Sequence, residues 1–510
     1  ENWMWPRHKA DFAMFRVYMS PDGKPAEYSP DNVPYQPKHH LPVSMKGVQE
    51  GDFAMIMGYP GNTDRFMTSY GIQELMEVSH PNRIKIRGRK LDIMNETMNQ
   101  SPAHRIMYAS KYKGTSNYWK YSIGQMEGFK RIDLLSERKA LEKDFLNWVN
   151  GRQDREELYG QTLELIRTAY ESRRPYESAG QYIRECLLSG PEITRFAMRT
   201  NELKSLLEQS FFKRLFNGKE RKKELANLRS YGKRHFRDYH KPTDQEIAVA
   251  LLRMINEDVD SKYYPDAFQK AMDEYNGDVK AYVDDLYSKS IFTDQNRYEA
   301  FMKDPDAEKL AADPAYQFAR SVYASYYNLR RMASQYDDQL QKGQRLFVKG
   351  VTNMPADKTF YPDANSTMRL TYGSVGGYKV KDAVRYKYYT TLEGVMEKED
   401  PDNYEFIVPE KLKELYEAKD YGPYGEDGQM PVCFITNNDI TGGNSGSPVM
   451  NGKGELIGLA FDSNWEGMTG DIEYAEKTQK TVCTDIRYLL FILDKIGEVD
   501  WLIEEMDVVN

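Results

Sequence analysis

Cysteine is almost missing from this chain. Cys186, Cys433 and Cys483 are the only three among 510 residues, too few and too scattered for a disulfide scaffold or a zinc ligand set. An odd count without metal-ligand spacing reads as buried free thiols. A Cys433–Cys483 bridge is open only if their Cα atoms approach. Long apolar runs are missing too: no stretch nears the ~20 apolar residues of a membrane-spanning helix. Positive charge is not in excess, and a net charge of −8 argues against a general nucleic-acid-binding surface. The basic stretch Lys213-Arg214, Lys219-Glu-Arg-Lys-Lys223 and Lys233-Arg234 has glutamate interspersed and reads as a solvated helix face. Gly58-Tyr-Pro-Gly-Asn-Thr63 lacks the Gly-Lys-Ser/Thr ending of a phosphate-binding loop, which excludes a P-loop nucleotide enzyme. No cofactor or metal motif stands out, and none is expected.

What is present fits a soluble globular protein with sizeable cores, 40% hydrophobic and 29% charged, and long enough for more than one domain. Ala13-Met-Phe-Arg-Val-Tyr18 and Phe53-Ala-Met-Ile-Met-Gly58 are short β-prone runs broken by Pro/Gly/Asp clusters. From about residue 71 the apolar spacing turns helical, over 132–148, 157–166, 202–212, 245–255 and further segments between 267 and 340. Lys303-Asp-Pro-Asp306 and Ala312-Asp-Pro314 punctuate them as loops. From about residue 356 the pattern returns to strands, with Met368-Arg-Leu-Thr-Tyr372 alternating, and residues 485–494 and 501–506 read as terminal helices.

The most informative segment is Thr441-Gly442-Gly443-Asn444-Ser445-Gly446-Ser447-Pro448. Strand-like residues flank it, Pro431–Thr436 before and Val449-Met450 and Leu456–Phe461 after. Glycines let a turn aim backbone N–H groups at a developing oxyanion, beside a serine hydroxyl presented to substrate. Ser445 is the candidate nucleophile, and the N–H groups of Gly443 and Ser445 are the candidate oxyanion hole. A bare Gly-x-Ser-Gly is more often an ordinary hairpin loop. Here the proline and the following hairpin favour the nucleophile reading, and the spacing resembles the nucleophile loop of chymotrypsin-fold serine peptidases.

Further segments carry a wider resemblance: Asn2-Trp-Met-Trp-Pro-Arg-His-Lys-Ala-Asp-Phe12, Val43-Ser-Met-Lys-Gly47, Gly58-Tyr-Pro-Gly61, Phe360-Tyr-Pro-Asp-Ala-Asn365, Gly458-Leu-Ala-Phe-Asp-Ser-Asn-Trp-Glu466, Gly470-Asp-Ile472 and Asp485-Ile-Arg-Tyr488. Together they resemble the S46 dipeptidyl-peptidases over essentially the whole chain. The resemblance implies a mixed α and β architecture, a chymotrypsin-like double β-barrel with a large inserted helical domain. Residues 1–70 would be the remainder of a first barrel, 71–355 the helical insertion that caps the cleft, and 356–510 the second barrel with a terminal helix.

It also implies release of dipeptides from free amino ends through a Ser-His-Asp triad, with Ser445 as nucleophile and Asp11 orienting the histidine. Asn2, Trp3, Asn117 and Asp462 would receive the substrate's α-amino group. Each residue alone has an ordinary reading, as a turn, cap or core residue, and only their joint placement in the motifs raises them. The residue after Asp462 shapes the S1 pocket. In the family it is glycine in hydrophobic-preferring members and arginine in acidic-preferring ones. Ser463 departs from both, so P1 preference stays open.

The seven histidines are His8, His39, His40, His80, His104, His235 and His240. None lies in a triad-histidine context: His39-His40 reads as a loop pair and His8 as structural. A serine without a base is a weak nucleophile. The expectation is therefore that the histidine lies upstream of Glu1, that these residues are a fragment lacking the N-terminal part, and that the chain alone is inactive. The alternative is a peptide-binding pseudoenzyme. The resemblance further implies oligopeptide partners, a homodimer and a periplasmic or cell-surface bacterial location.

Overall fold

Burial alternates along Phe53–Gly58, with Ala54, Ile56 and Gly58 inside and Phe53 and Met57 outside, the mark of a strand with one wet face. The computed structural model describes residues 2–209, 218–355 and 360–510. Lys213-Arg214 and the end of the helix expected over 202–212 lie outside the described residues. The chain divides into two units, one formed by Glu1–Arg65 with Lys358–Asn510 and the other by Phe66–Asp357. The fold is mixed α and β.

The described strands are β1 (Tyr18–Met19), β2 (Val33–Pro34), β3 (Val43–Ser44), β4 (Phe53–Gly58), β5 (Arg369–Ser374), β6 (Tyr378–Lys381), β7 (Val384–Tyr386), β8 (Tyr389–Thr391), β9 (Pro431–Thr436), β10 (Ser447–Met450), β11 (Leu456–Ser463), β12 (Thr481–Asp485) and β13 (Val508–Val509). One sheet runs β5-β4-β10-β11-β12-β9-β8, with β3 and β13 joined at the side of β11. Val375, just past β5, bridges Thr436 at the end of β9. The Asn437 N–H donates to the Ser374 carbonyl at 3.1 Å. The run from β5 to β9 therefore curls back on itself as a closed antiparallel barrel, which removes exposed edges.

Ala54, Ile56, Phe434, Val449, Ile457, Ala460 and Cys483 fill its interior. On the outside, Cys433 and Ile435 of β9 pack with the helix Ile486–Phe491 and with Trp5. With both faces covered, β9 is buried along its whole length. The cysteines are all free. Cys483 pairs in register with Phe434, next to Cys433. The two side chains belong to the inner and outer clusters respectively, so the pleat turns the thiols to opposite faces and no bridge forms.

Two expectations are corrected. The expected remainder of a first barrel, residues 1–70, includes Phe53–Gly58. That segment instead pairs with β5 and β10, so it closes the barrel that carries Ser445. Its alternation announced a strand, but a period of two does not name the partner. Of the run 13–18 only Tyr18 lies in a described strand, in register with Pro34, while the Val17 carbonyl accepts the Tyr35 N–H at 2.8 Å.

In the helical unit the spans expected at 132–148, 202–212 and 245–255 appear as Leu134–Asn150, Asn201–Leu207 and Lys241–Asp258, while the one expected over 157–166 is split by a turn at Gly160-Gln161 into Gln153–Tyr159 and Thr162–Tyr182. The Asp-Pro loops act as helix starts. Asp306 accepts from the Lys309 N–H, and Asp313 accepts from the N–H groups of Ala315 and Tyr316 with Pro314 opening the helix. No described helix is long and apolar enough to cross a membrane.

Candidate active site

The loop between β9 and β10 is shaped by three close backbone approaches. Gly443 sits at φ +109°, and a Cβ there would overlap the Tyr59 carbonyl oxygen. The Gly61 N–H donates to the Gly442 carbonyl at 2.6 Å, so the Gly58-Tyr-Pro-Gly61 motif braces the turn. Asn444 is buried, accepts from the Thr441 N–H at 3.3 Å, and its carbonyl takes the Ser447 N–H at 2.9 Å. The Thr441 hydroxyl donates to the Asp471 carboxylate, which gives the Gly470-Asp-Ile472 motif its place.

Ser445 tops this loop, exposed. Among the described residues its side chain makes one hydrogen bond, to the Phe461 carbonyl at 3.4 Å. The N–H groups of Gly443 and Ser445 have no acceptor among the described residues. They are free to receive an oxyanion from solvent-accessible space.

The end of β11 assembles the rest. The register between β11 and β12 shifts between Ala460 and Asp462, a bulge that re-aims the following side chains. Asp462 Oδ2 then accepts from the Trp3 N–H at 3.0 Å and from Arg7 Nη1 at 2.9 Å. Its Oδ1 takes the Ser463 N–H at 2.9 Å. The pair is nearly dry, with the Arg7 and Asp462 side chains 5% and 12% exposed. Burial raises the Asp462 pKa, and Arg7 and the two N–H donors pull the other way without reversing it. Arg7 also stacks over the Phe461 ring at 5.0 Å. Trp3 is held at φ +65°, a left-handed conformation costly for its size, and Asn2 precedes it, half-buried in the same turn.

Trp3, Asp462 and Ser463 are thus brought together, one residue beyond the carbonyl that Ser445 touches. Asp11 is exposed and has no hydrogen bond or ion pair among the described residues. Asn117 lies inside the helix Pro102–Arg131 of the other unit, half-buried. His8 lines a cavity against Gly394, and His39 and His40 are exposed loop residues. Arg7, the strongest partner of Asp462, was not singled out from the sequence. Its only signal was a cation inside the same motif as Trp3 and Asp11. No group of three or more His, Cys, Asp or Glu among the described residues is arranged to hold a metal.

The sequence matches the peptidase S46 family model over residues 1–508. It is 39% identical over 514 residues to dipeptidyl-peptidase 7 of Porphyromonas gingivalis, covering 100% of this chain and 70% of the relative. It is also 39% identical over 511 residues to the Asp/Glu-specific dipeptidyl-peptidase of the same organism, with the same coverage. The crystal structure of Porphyromonas endodontalis DPP11 in complex with the dipeptide Arg-Glu is similar with a TM-score of 0.88 at 39% identity, covering 100% of this chain and 72% of that one. The family match gives the expected absence of an N-terminal part no support of its own.

Proposed function

The chain belongs to the peptidase S46 family and is a peptidase; from that premise we propose that it is a serine exopeptidase that releases dipeptides from the free amino end of oligopeptides. The observation that carries this reading is the Asp462 carboxylate, fixed at the end of β11 beside the Ser445 loop. An ionised carboxylate offers about four lone-pair sites. The Trp3, Arg7 and Ser463 donors occupy three, leaving one for a substrate ammonium. An anchor for the α-amino group at a fixed distance from the nucleophile is what limits cleavage to dipeptides, with Asn2 as a further acceptor.

Ser445 Oγ attacks the scissile carbonyl, and the Gly443 and Ser445 N–H groups receive the oxyanion. The resemblance assigns the general base to a histidine oriented by Asp11, and none of the seven histidines here stands in that context. P1 preference stays open, because Ser463 supplies a small hydroxyl in place of a guanidinium. The site acts on oligopeptides, in an exported homodimer.

One observation favours the pseudoenzyme reading: among the described residues the side chain of Ser445 hydrogen-bonds to a carbonyl and not to an imidazole. The discriminating experiment follows hydrolysis of acidic and hydrophobic dipeptidyl-coumarin substrates by the full-length gene product. Turnover that disappears with Ser445→Ala supports the peptidase. Dipeptide binding without turnover, or turnover that survives Ser445→Ala, overturns it.

A further inference from the structure

The helical unit holds a cavity of about 230 Å³ that the peptidase reading does not use. Three arginines from three separate segments line it. Arg83 comes from the helix His80–Met98, Arg184 from the π-helical turn Ile183–Leu188, and Arg330 from the helix Pro314–Ser334. Glu177 is the one carboxylate among the described lining residues, and Arg173 already pairs with it at 2.6 Å.

The three guanidiniums are reachable and mostly uncommitted. Arg184 and Arg330 are exposed, and the Arg83 side chain is 18% exposed. Among the described residues Arg83 donates to the Ser122 hydroxyl at 3.1 Å, while the nearest Glu185 oxygen is 4.0 Å away. Arg184 reaches Glu185 only at 3.5 Å, and Arg87 holds that carboxylate at 2.9 Å. Arg330 bonds to Tyr326, and Glu177 and Asp337 attract it more weakly. A guanidinium spreads its N–H donors over a planar fork that fits two oxygens of one anion. Each of the three therefore keeps donors to spare.

Two hydroxyls add to them. Ser79 and Tyr176 line the same cavity, both half-buried, and neither hydroxyl makes a hydrogen bond among the described residues. The positive excess is felt inside the unit. Burial lowers the Arg83 pKa, and the Arg87 and Arg184 charges add to that against the pull of Glu185. Like charges around one cavity repel, and an anion between them relieves the repulsion.

We propose that this cavity binds a phosphate dianion, free or as a compact monoester, held by Arg83, Arg184 and Arg330 with the Tyr176 hydroxyl donating to it. Three arginines against one paired carboxylate match a doubly charged oxyanion better than a monocarboxylate. The volume falls below the roughly 300–1,000 Å³ of ordinary organic-ligand pockets, which suits a compact ion. Arg184 stands in a widened helical turn of a kind that recurs at functional sites.

The test is calorimetric titration of the intact protein with inorganic phosphate and, separately, with methyl phosphate. The titrations run at constant ionic strength and about pH 8, where a phosphate monoester is a dianion. Neither probe has a peptide bond, so the outcome is independent of the peptidase reading. Saturable binding is expected. Tighter binding of inorganic phosphate assigns the free ion, and tighter binding of methyl phosphate assigns a monoester. Arg184→Met and Arg330→Met should each weaken binding about tenfold or more. Both side chains are exposed, so the fold should tolerate their loss. Arg331→Met removes the same charge from the next position of the same helix, outside the cavity, and should leave binding unchanged. The proposal is overturned by no saturable heat with either probe, by chloride binding as tightly as phosphate, by Arg331→Met weakening binding as much as Arg330→Met, or by binding that either cavity variant leaves unchanged.

Discussion

Arg7→Met tests how the Asp462 anchor is held. The substitution keeps most of the side-chain volume but removes a guanidinium that is 5% exposed and 2.9 Å from a carboxylate 12% exposed. Breaking a buried pair from one side costs roughly 3–5 kcal/mol, because the remaining charge is left without its partner. Asp462 keeps the Trp3 and Ser463 N–H donors, so the low end, about 3 kcal/mol, is the expectation. In a unit of roughly two hundred residues that is about 6–12 °C in melting temperature.

The sign of the pH dependence follows from the same contacts. Asp462 has a raised pKa in the folded chain, burial being the main cause. Its contribution to stability is therefore present below the ordinary carboxylate pKa and is lost as pH rises through the folded value. Removing Arg7 raises that pKa further. The melting gap between Arg7→Met and the parent should accordingly widen from about pH 4 to about pH 7. Asp462→Asn in the Arg7→Met background should recover part of the loss, as a double-mutant cycle reads out. Calorimetric melts at the two pH values measure all of this. A cost below about 0.5 kcal/mol, or a gap that is flat in pH, would show that Arg7 does not hold the Asp462 charge.

Three other outcomes are expected. Ser445→Ala should lower dipeptide release by about 10⁴-fold or more, while its exposure keeps the stability change within about 0.5 kcal/mol; steady-state kinetics and thermal melts check both. Gly443→Ala forces a Cβ onto the Tyr59 carbonyl at φ +109°. It should reduce kcat by about 100-fold or more through loss of the N–H alignment, and an unchanged kcat would count against the oxyanion assignment. His80 is buried, bonded to Gln125 at 2.8 Å, and lowered to about 4 by burial and then Arg83. A depressed histidine stabilises above its unfolded pKa of about 6.5, and the stability, about 3 kcal/mol in full, is lost as pH falls toward about 4. His80→Gln should remove that slope in urea unfolding at about pH 7 and about pH 4.5. Asp244, raised to about 7, and Glu74, raised to about 6, slope the opposite way in both proteins, so the difference between the two proteins is what counts.

Local patterns were legible in the sequence where one element decides them alone. The helical periods located Leu134–Asn150 and Lys241–Asp258, and the glycine-rich run located the Ser445 turn. Pairing across hundreds of residues was not legible. Phe53–Gly58 reads as a strand wherever it docks, and only the fold sets it against Arg369–Ser374. Several motif segments gained a physical reason only in three dimensions. Gly47 at φ +76° lies where a Cβ would collide with the Arg487 guanidinium, which pairs with Asp485 at 2.9 Å and Glu426 at 2.7 Å. The Arg7–Asp462 pair joins residues 455 apart, a separation no local pattern encodes.

In the proposed function, cleavage at Ser445 is counted from the substrate's free amino end. The most direct measurement is mass spectrometry of the products that the full-length gene product makes from one oligopeptide in two forms, with a free and with an acetylated amino terminus. Sequential dipeptides are expected from the free form, no product from the acetylated form, and no product from either with Ser445→Ala. Cleavage of the acetylated peptide, or release of single residues, would contradict it.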